Sequence, residues 1–116
     1  MRYDFDGIAR GESWSREFRF RDAQDQPVDL TGRTVRFLLR DTDGMLADIT
    51  SGTPDPDGSI AVTPADGLVI VTVKPAVTAA ASTPAEYTLW LDVGLDTADA
   101  TVWGSWRTVR VVTPVA

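Results

Sequence analysis

The sequence contains no cysteine and no histidine. That removes disulfides, thiolate zinc sites, cysteine nucleophiles and every histidine-based triad, and it leaves no side chain that titrates near neutrality unperturbed. Asparagine is also absent, and Lys74 is the single lysine. Positive charge is scarce: 11 Lys and Arg residues stand against 17 Asp and Glu, for a formal net charge of −6 and a sequence pI near 4.4. Binding to a phosphate backbone or an anionic membrane needs clustered cations, so neither nucleic acid nor membrane is an expected partner. No apolar run approaches the roughly 18 residues of a spanning helix. The opening Met1-Arg2-Tyr3-Asp4-Phe5-Asp6 lacks the apolar core of a signal peptide. The chain reads as made in the cytoplasm.

What is present is a core's worth of apolar side chains, 43% of 116 residues, with no repeat and no linker, so one domain over residues 1–116 is expected. The dominant period is two. From Ser13 to Arg21 the even positions carry Trp14, Phe18 and Phe20, broken only by Arg16, whose long stem can snorkel. Val35, Phe37 and Leu39 repeat the alternation, with Leu38 as the exception. Leu68 to Val73 is apolar on both faces except for Thr72, the pattern of a central strand. Tyr87, Leu89 and Leu91 alternate with Thr88, Trp90 and Asp92. Thr101 to Val112 is the longest candidate, with Trp103, Val109 and Val111 on one face, Val102, Trp106 and Val112 on the other, and a bulge or bend at Gly104. Shorter pieces at Tyr3 to Ala9, Leu46 to Thr50 and Ser59 to Val62 bring the set to about eight strands, the spacing of an antiparallel sandwich or barrel.

Turn chemistry agrees. Asp-Gly occurs at Asp6-Gly7, Asp43-Gly44, Asp57-Gly58 and Asp66-Gly67, where glycine is expected to supply a positive φ, and Asp43-Gly44 is the best hairpin candidate. Helix is confined to Lys74 to Ser82, opened by Pro75 and closed by Pro84, and Thr113 to Ala116 should leave the sheet. Ala85-Glu86-Tyr87-Thr88-Leu89 opens the next strand and resembles the tyrosine corner of immunoglobulin-like sandwiches, in which the Tyr hydroxyl bonds back to the main chain across the turn. A Tyr merely half-buried in a strand fits the same residues. The predicted fold is all-β, an immunoglobulin-like antiparallel β-sandwich with one short helical turn.

The Tyr3-Asp4-Phe5 opening, the Arg10-Gly11-Glu12-Ser13-Trp14 segment and Pro27-Val28-Asp29-Leu30-Thr31-Gly32 occur in that order. Together they resemble small tailed-phage and prophage proteins related to the immunoglobulin-like N-terminal domain of baseplate upper proteins. Looser matches follow at Asp66-Gly67, Val77-Thr78-Ala79, Tyr87 with Leu91-Asp92, Trp103-Gly104 and Val112-Thr113-Pro114. Glu12 departs from the usual Asp, and a baseplate upper protein continues into a long C-terminal part. The resemblance implies a virion structural module, made in the bacterial host cytoplasm, with other virion proteins or copies of itself as partners. Read physically, Asp29, Leu30, Thr31 and Gly32 form a structural turn: Asp25 to Pro27 can reverse the chain, Leu30 can plug the end of the core, and Gly32 can release it into the next strand.

Catalytic chemistry finds little support. Asp41 with Asp43, Asp55 with Asp57, and Asp92 with Asp96 and Asp99 are spaced unlike a calcium loop and read as solvated turn acids. Ser13 and Ser105 have no histidine base, and no Gly-Lys-Ser/Thr phosphate loop occurs. No enzyme activity, metal or cofactor is expected. The tryptophans carry more. Trp103 and Trp106 are an odd number apart, so an unbulged strand sends them to opposite faces, and an outward indole marks an interface. The alternative is that one is covered by a loop of the same chain. The expected interface residues are Trp90 and Trp106, with the edge near Tyr3, Phe5 and Ile8. Assembly through such a face is the leading functional expectation, with receptor or carbohydrate binding as the alternative.

Overall fold

The computed structural model describes residues 2–21, 24–52, 55–81, 85–91 and 99–109. Eight strands run through them: β1 (Phe5–Ala9), β2 (Trp14–Arg19), β3 (Val35–Asp41), β4 (Gly44–Thr50), β5 (Gly58–Thr63), β6 (Leu68–Val73), β7 (Ala85–Leu91) and β8 (Asp99–Val109). One short helix, α1 (Pro75–Ala80), lies between β6 and β7. Asp92, Asp96, Ser82, Pro84, Val111, Val112 and Thr113 to Ala116 lie outside the described residues.

Five strands form one sheet in the order β1-β8-β7-β3-β4, and three form the other in the order β2-β6-β5. The second, sixth and fifth strands thus face a sheet centred on the third, seventh and eighth, the immunoglobulin-like arrangement expected from the sequence. Alternation explains why each strand lies where it does. Val35, Phe37 and Leu39 on β3 and Tyr87 and Leu89 on β7 are fully buried against Val69, Val71 and Val73 of β6, so the core is the gap between the sheets. The β3–β4 hairpin closes at Asp41 opposite Gly44, and Leu46 is left over as a bulge where the register shifts between Leu39 and Arg40.

Three expectations are corrected. First, the sandwich is not wholly antiparallel, because β1 pairs with β8 in parallel. The chain leaves β1 and crosses to the other sheet to start β2, so its first strand runs beside its last in the same direction. Second, Gly104 is not a bulge: it pairs regularly with Tyr87, and the irregularity falls between Leu89 and Trp90, where Thr101 is left over. Glycine is needed at 104 because a Cβ there would stand 2.2 Å from the Tyr3 carbonyl oxygen. Third, Gly58 is required by space and not by a positive φ, since a Cβ would meet the Thr72 carbonyl oxygen at 2.0 Å.

The segments that carry the sequence resemblance have concrete structural roles. The β1–β2 crossing is tied to α1 through buried Thr78, whose hydroxyl donates to the Glu12 carbonyl at 2.7 Å and accepts the Gly11 N–H at 3.0 Å. Arg10 reaches Thr108 of β8 at 3.3 Å. In the second segment the Asp29 carboxylate accepts the Thr31 N–H at 2.9 Å and the Thr31 hydroxyl at 2.6 Å, which holds its carboxyl below the usual range. Leu30 is buried, and its N–H donates to the Pro64 carbonyl at 3.0 Å, closing one end of the core.

Candidate functional site

The outer face of the five-stranded sheet follows from strand register. Trp103 stands opposite Thr88, and Thr88 opposite Leu38, so all three share one face. One row away Glu86 faces Arg40, and Arg40 faces Met45. On the other side Trp90 faces Arg36. Trp103 is 42% exposed and Met45 57%, while Trp90 and Leu38 are half-buried. These four, with Arg2, Arg40, Glu86 and Thr88, surround a shallow hollow of about 370 Å³. Beside Trp90, Arg36 forks onto Asp48, its Nε donating to Oδ1 at 2.7 Å and its Nη2 to Oδ2 at 2.5 Å. Each partner stabilises the other's charged form, raising the Arg36 pKa and lowering that of Asp48.

The expected interface residues therefore separate. Trp90 lies on this face. Trp106 does not: it is 0% exposed in the core, edge-on to Trp14 with ring centroids 5.8 Å apart. The odd spacing does send the two indoles to opposite faces, but Trp103 is the outward one. Phe5 and Ile8 are corrected likewise. Both are buried, because the β1 edge turns these side chains inward, and Phe5 packs against Trp14, Phe18 and Tyr87. Tyr3 is 49% exposed but lines a different groove, between β1 and β2. Met45 went unread as a site residue. Its signal was the Asp43-Gly44 hairpin, whose tight register places it on the face where Leu38 breaks the apolar alternation.

Tyr87 does not form a tyrosine corner. Its hydroxyl donates to the Tyr3 carbonyl at 2.5 Å, 84 residues upstream and on the N-terminal segment rather than across the preceding turn. The same segment is clipped twice more: the Tyr3 N–H donates to the Trp103 carbonyl at 2.8 Å, and Asp4 Oδ1 accepts the Ser105 N–H at 2.9 Å. The Ser105 bond is the main reason the Asp4 carboxyl titrates below its usual range. Burial, helped by the charge of Asp4, pushes the Tyr87 hydroxyl well above its ordinary pKa of 10.0. The folded chain thus keeps this proton where the unfolded chain releases it. The stability from Tyr87 is complete below about pH 10 and declines as pH rises above it, by up to about 1.4 kcal/mol per pH unit. Urea midpoints measured from about pH 8 to about pH 11 should fall accordingly, and Tyr87→Phe should flatten the fall.

Several acids serve turns. Asp41 accepts the Asp43 N–H and Asp55 the Asp57 N–H, both at 2.8 Å, the local bonding that favours aspartate in such positions.

No family model and no curated protein matches the sequence. Among solved structures the chain is similar to the crystal structure of the N-terminal Ig1-2 module of the Drosophila receptor protein tyrosine phosphatase DLAR, with a TM-score of 0.52 at 16% identity. The match covers 97% of this chain and 48% of that one, so the chain spans about half the length of the structure it resembles. Topology and likeness agree that the fold is an immunoglobulin-like β-sandwich.

Proposed function

We propose that the chain is a non-catalytic structural module of a bacteriophage or prophage virion, part of a tail, baseplate or fibre, that docks through the outer face of its five-stranded sheet onto a second copy of itself. The observation that carries the docking is the exposed pair Trp103 and Met45, set around Trp90 and Leu38 on regular strands. Rigid indole area loses little entropy when covered, and it dominates binding where it is central to a patch. The face is also self-complementary in charge. Arg40 and Glu86 are neighbours in register, yet they make no ion pair with each other among the described residues. A two-fold contact brings Arg40 of each copy to Glu86 of the other. Assignment to a virion rests on the resemblance at Arg10 to Trp14 and Pro27 to Gly32, segments that here hold the scaffold together.

A second reading, recognition of a receptor glycan, is favoured by one feature: Trp103 lies beside Arg40, Glu86 and Thr88, a flat ring next to groups that bond hydroxyls. A glycan array read with the wild type and Trp103→Ala separates the two. Self-assembly is tested by the molar mass of the wild type and Trp103→Asp across a dilution series. A concentration-dependent multimer lost in the variant supports docking, and a wild-type monomer at every concentration counts against it.

A further inference from the structure

The sandwich has a second surface of a different kind, along the seam where β1 and β2 lie at the edges of their sheets. A groove of about 460 Å³ opens there, with Tyr3, Phe5, Phe18 and Phe20 among its walls. Its rim carries Arg16, Arg19 and Arg21 with Glu17 as the one acid, a local excess of positive charge on a chain of net charge −6. The rim arginines are weakly engaged. Arg19 pairs with Glu17, both well exposed, and Arg21 donates to the Asp25 carbonyl at 3.1 Å and stands 3.8 Å from its highly exposed carboxylate. Arg16 lies over the Phe5 ring, 5.1 Å from its centroid, and makes no ion pair among the described residues.

Among the described residues no strand pairs with the outer edge of β2. The Phe20 N–H donates to Gly67, which fixes the alternation of the β2–β6 ladder. Even residues of β2 bond inward to β6, so the N–H and carbonyl groups of Ser15, Glu17 and Arg19 point to the free edge. Past that stretch the chain is held from the inner side, where the Phe20 carbonyl accepts the Val28 N–H at 3.0 Å. The open stretch suits an extended segment of about five or six residues.

We propose that this edge receives an extended acidic segment of a partner protein, added as a strand to β2. Its main chain pairs with Ser15, Glu17 and Arg19, its apolar side chains enter the aromatic groove beside Arg16, and its carboxylates, on the opposite face, meet Arg19 and Arg21. This surface is separate from the outer face, so the proposal stands or falls independently of self-docking.

The test uses the full chain and a fluorescein-labelled peptide of alternating aspartate and valine, read by anisotropy. The wild type should bind it, and should not bind the same peptide with lysine for aspartate. Arg19→Gln with Arg21→Gln should weaken binding about tenfold, as the loss of two exposed ion pairs implies. Glu17 separates strand addition from simple charge attraction. Glu17→Gln removes the one rim acid and should tighten binding. Glu17→Pro removes the same acid but also the outward N–H, and should abolish binding while β2 keeps its ladder to β6. If that variant fails to fold, the peptide N-methylated at alternate positions makes the same cut from the other side and should not bind. Equal binding by the N-methylated peptide, or stronger binding by a folded Glu17→Pro variant, overturns the proposal. So does a preference for a single-stranded oligonucleotide over the acidic peptide.

Discussion

Trp106→Ala is expected to lower the free energy of unfolding by about 3–5 kcal/mol, the usual range for deleting a fully buried tryptophan. The reason lies in position. Trp106 is wholly enclosed, paired with Phe5 across β1 and β8 and set edge-on against Trp14, so its removal leaves a void between the sheets bordered by strands that cannot close over it. Such a loss is a large share of the roughly 5–15 kcal/mol that holds a domain together. A second variant sharpens the expectation. The Trp106 Nε1 is the one buried side-chain polar atom without a hydrogen-bond partner among the described residues. Trp106→Phe deletes that unpaired donor and keeps most of the ring, so its cost should fall well below that of alanine. Trp103→Ala, on the outer face, should change stability by no more than about 0.5 kcal/mol. Urea titrations of the three variants give the ranking, and a Trp106→Ala protein as stable as Trp103→Ala would mean the two indoles have been assigned to the wrong faces.

Gly104→Ala is the second large effect. The added methyl carbon would stand 2.2 Å from the Tyr3 carbonyl oxygen and 2.7 Å from Asp4 Oδ1, and the first of these is main chain that cannot swing aside. Tyr3 and Asp4 must lift away from β8. Lifting them breaks the Tyr3 and Ser105 N–H bonds and leaves the buried Tyr87 hydroxyl without its acceptor. At about 1 kcal/mol for each ordinary bond, and more for a polar group left buried and unpaired, the loss is on the order of 3 kcal/mol. The damage should also be local. Amide exchange in β1 and at Ser105 should accelerate well before exchange in β3 or β6. Uniform acceleration across all strands, or none in β1, would show that the clip does not hold the N-terminal strand.

These variants also mark where sequence reading succeeds and stops. Period-two alternation located the strands that face the core, because Val35, Phe37, Leu39, Tyr87, Leu89 and Leu91 declare their side by spacing alone. Pro75 opened the helix and Asp43-Gly44 the hairpin, since both are decided within a few residues. The choice between Trp103 and Trp106 was not local. Spacing puts them on opposite faces, but which face is inward depends on the pairing of β8 with β7, and that is set by partners distant in sequence. The N-terminal clip is harder still: Tyr3 and Asp4 find their partners 84 and 101 residues away. Nothing within Phe5 to Ala9 says that this strand joins β8 and not β2. The outer face lay nearer to hand. Leu38 breaks an otherwise clean alternation, and the hairpin register carries Met45 to the same side.

That face is the centre of the functional account, and light scattering tests it most directly. Wild-type protein should show a mass above the 12.6 kDa of one chain that falls toward it on dilution. Trp103→Asp, which sets a charge where the indole is covered, should be a monomer throughout while unfolding at the same urea concentration as wild type diluted to the single-chain mass. Reversal of Arg40 alone or Glu86 alone should weaken the assembly, and reversal of both together should restore it. A wild type that stays at the single-chain mass at every concentration, or a Trp103→Asp protein that associates as the wild type does, would contradict docking through this face.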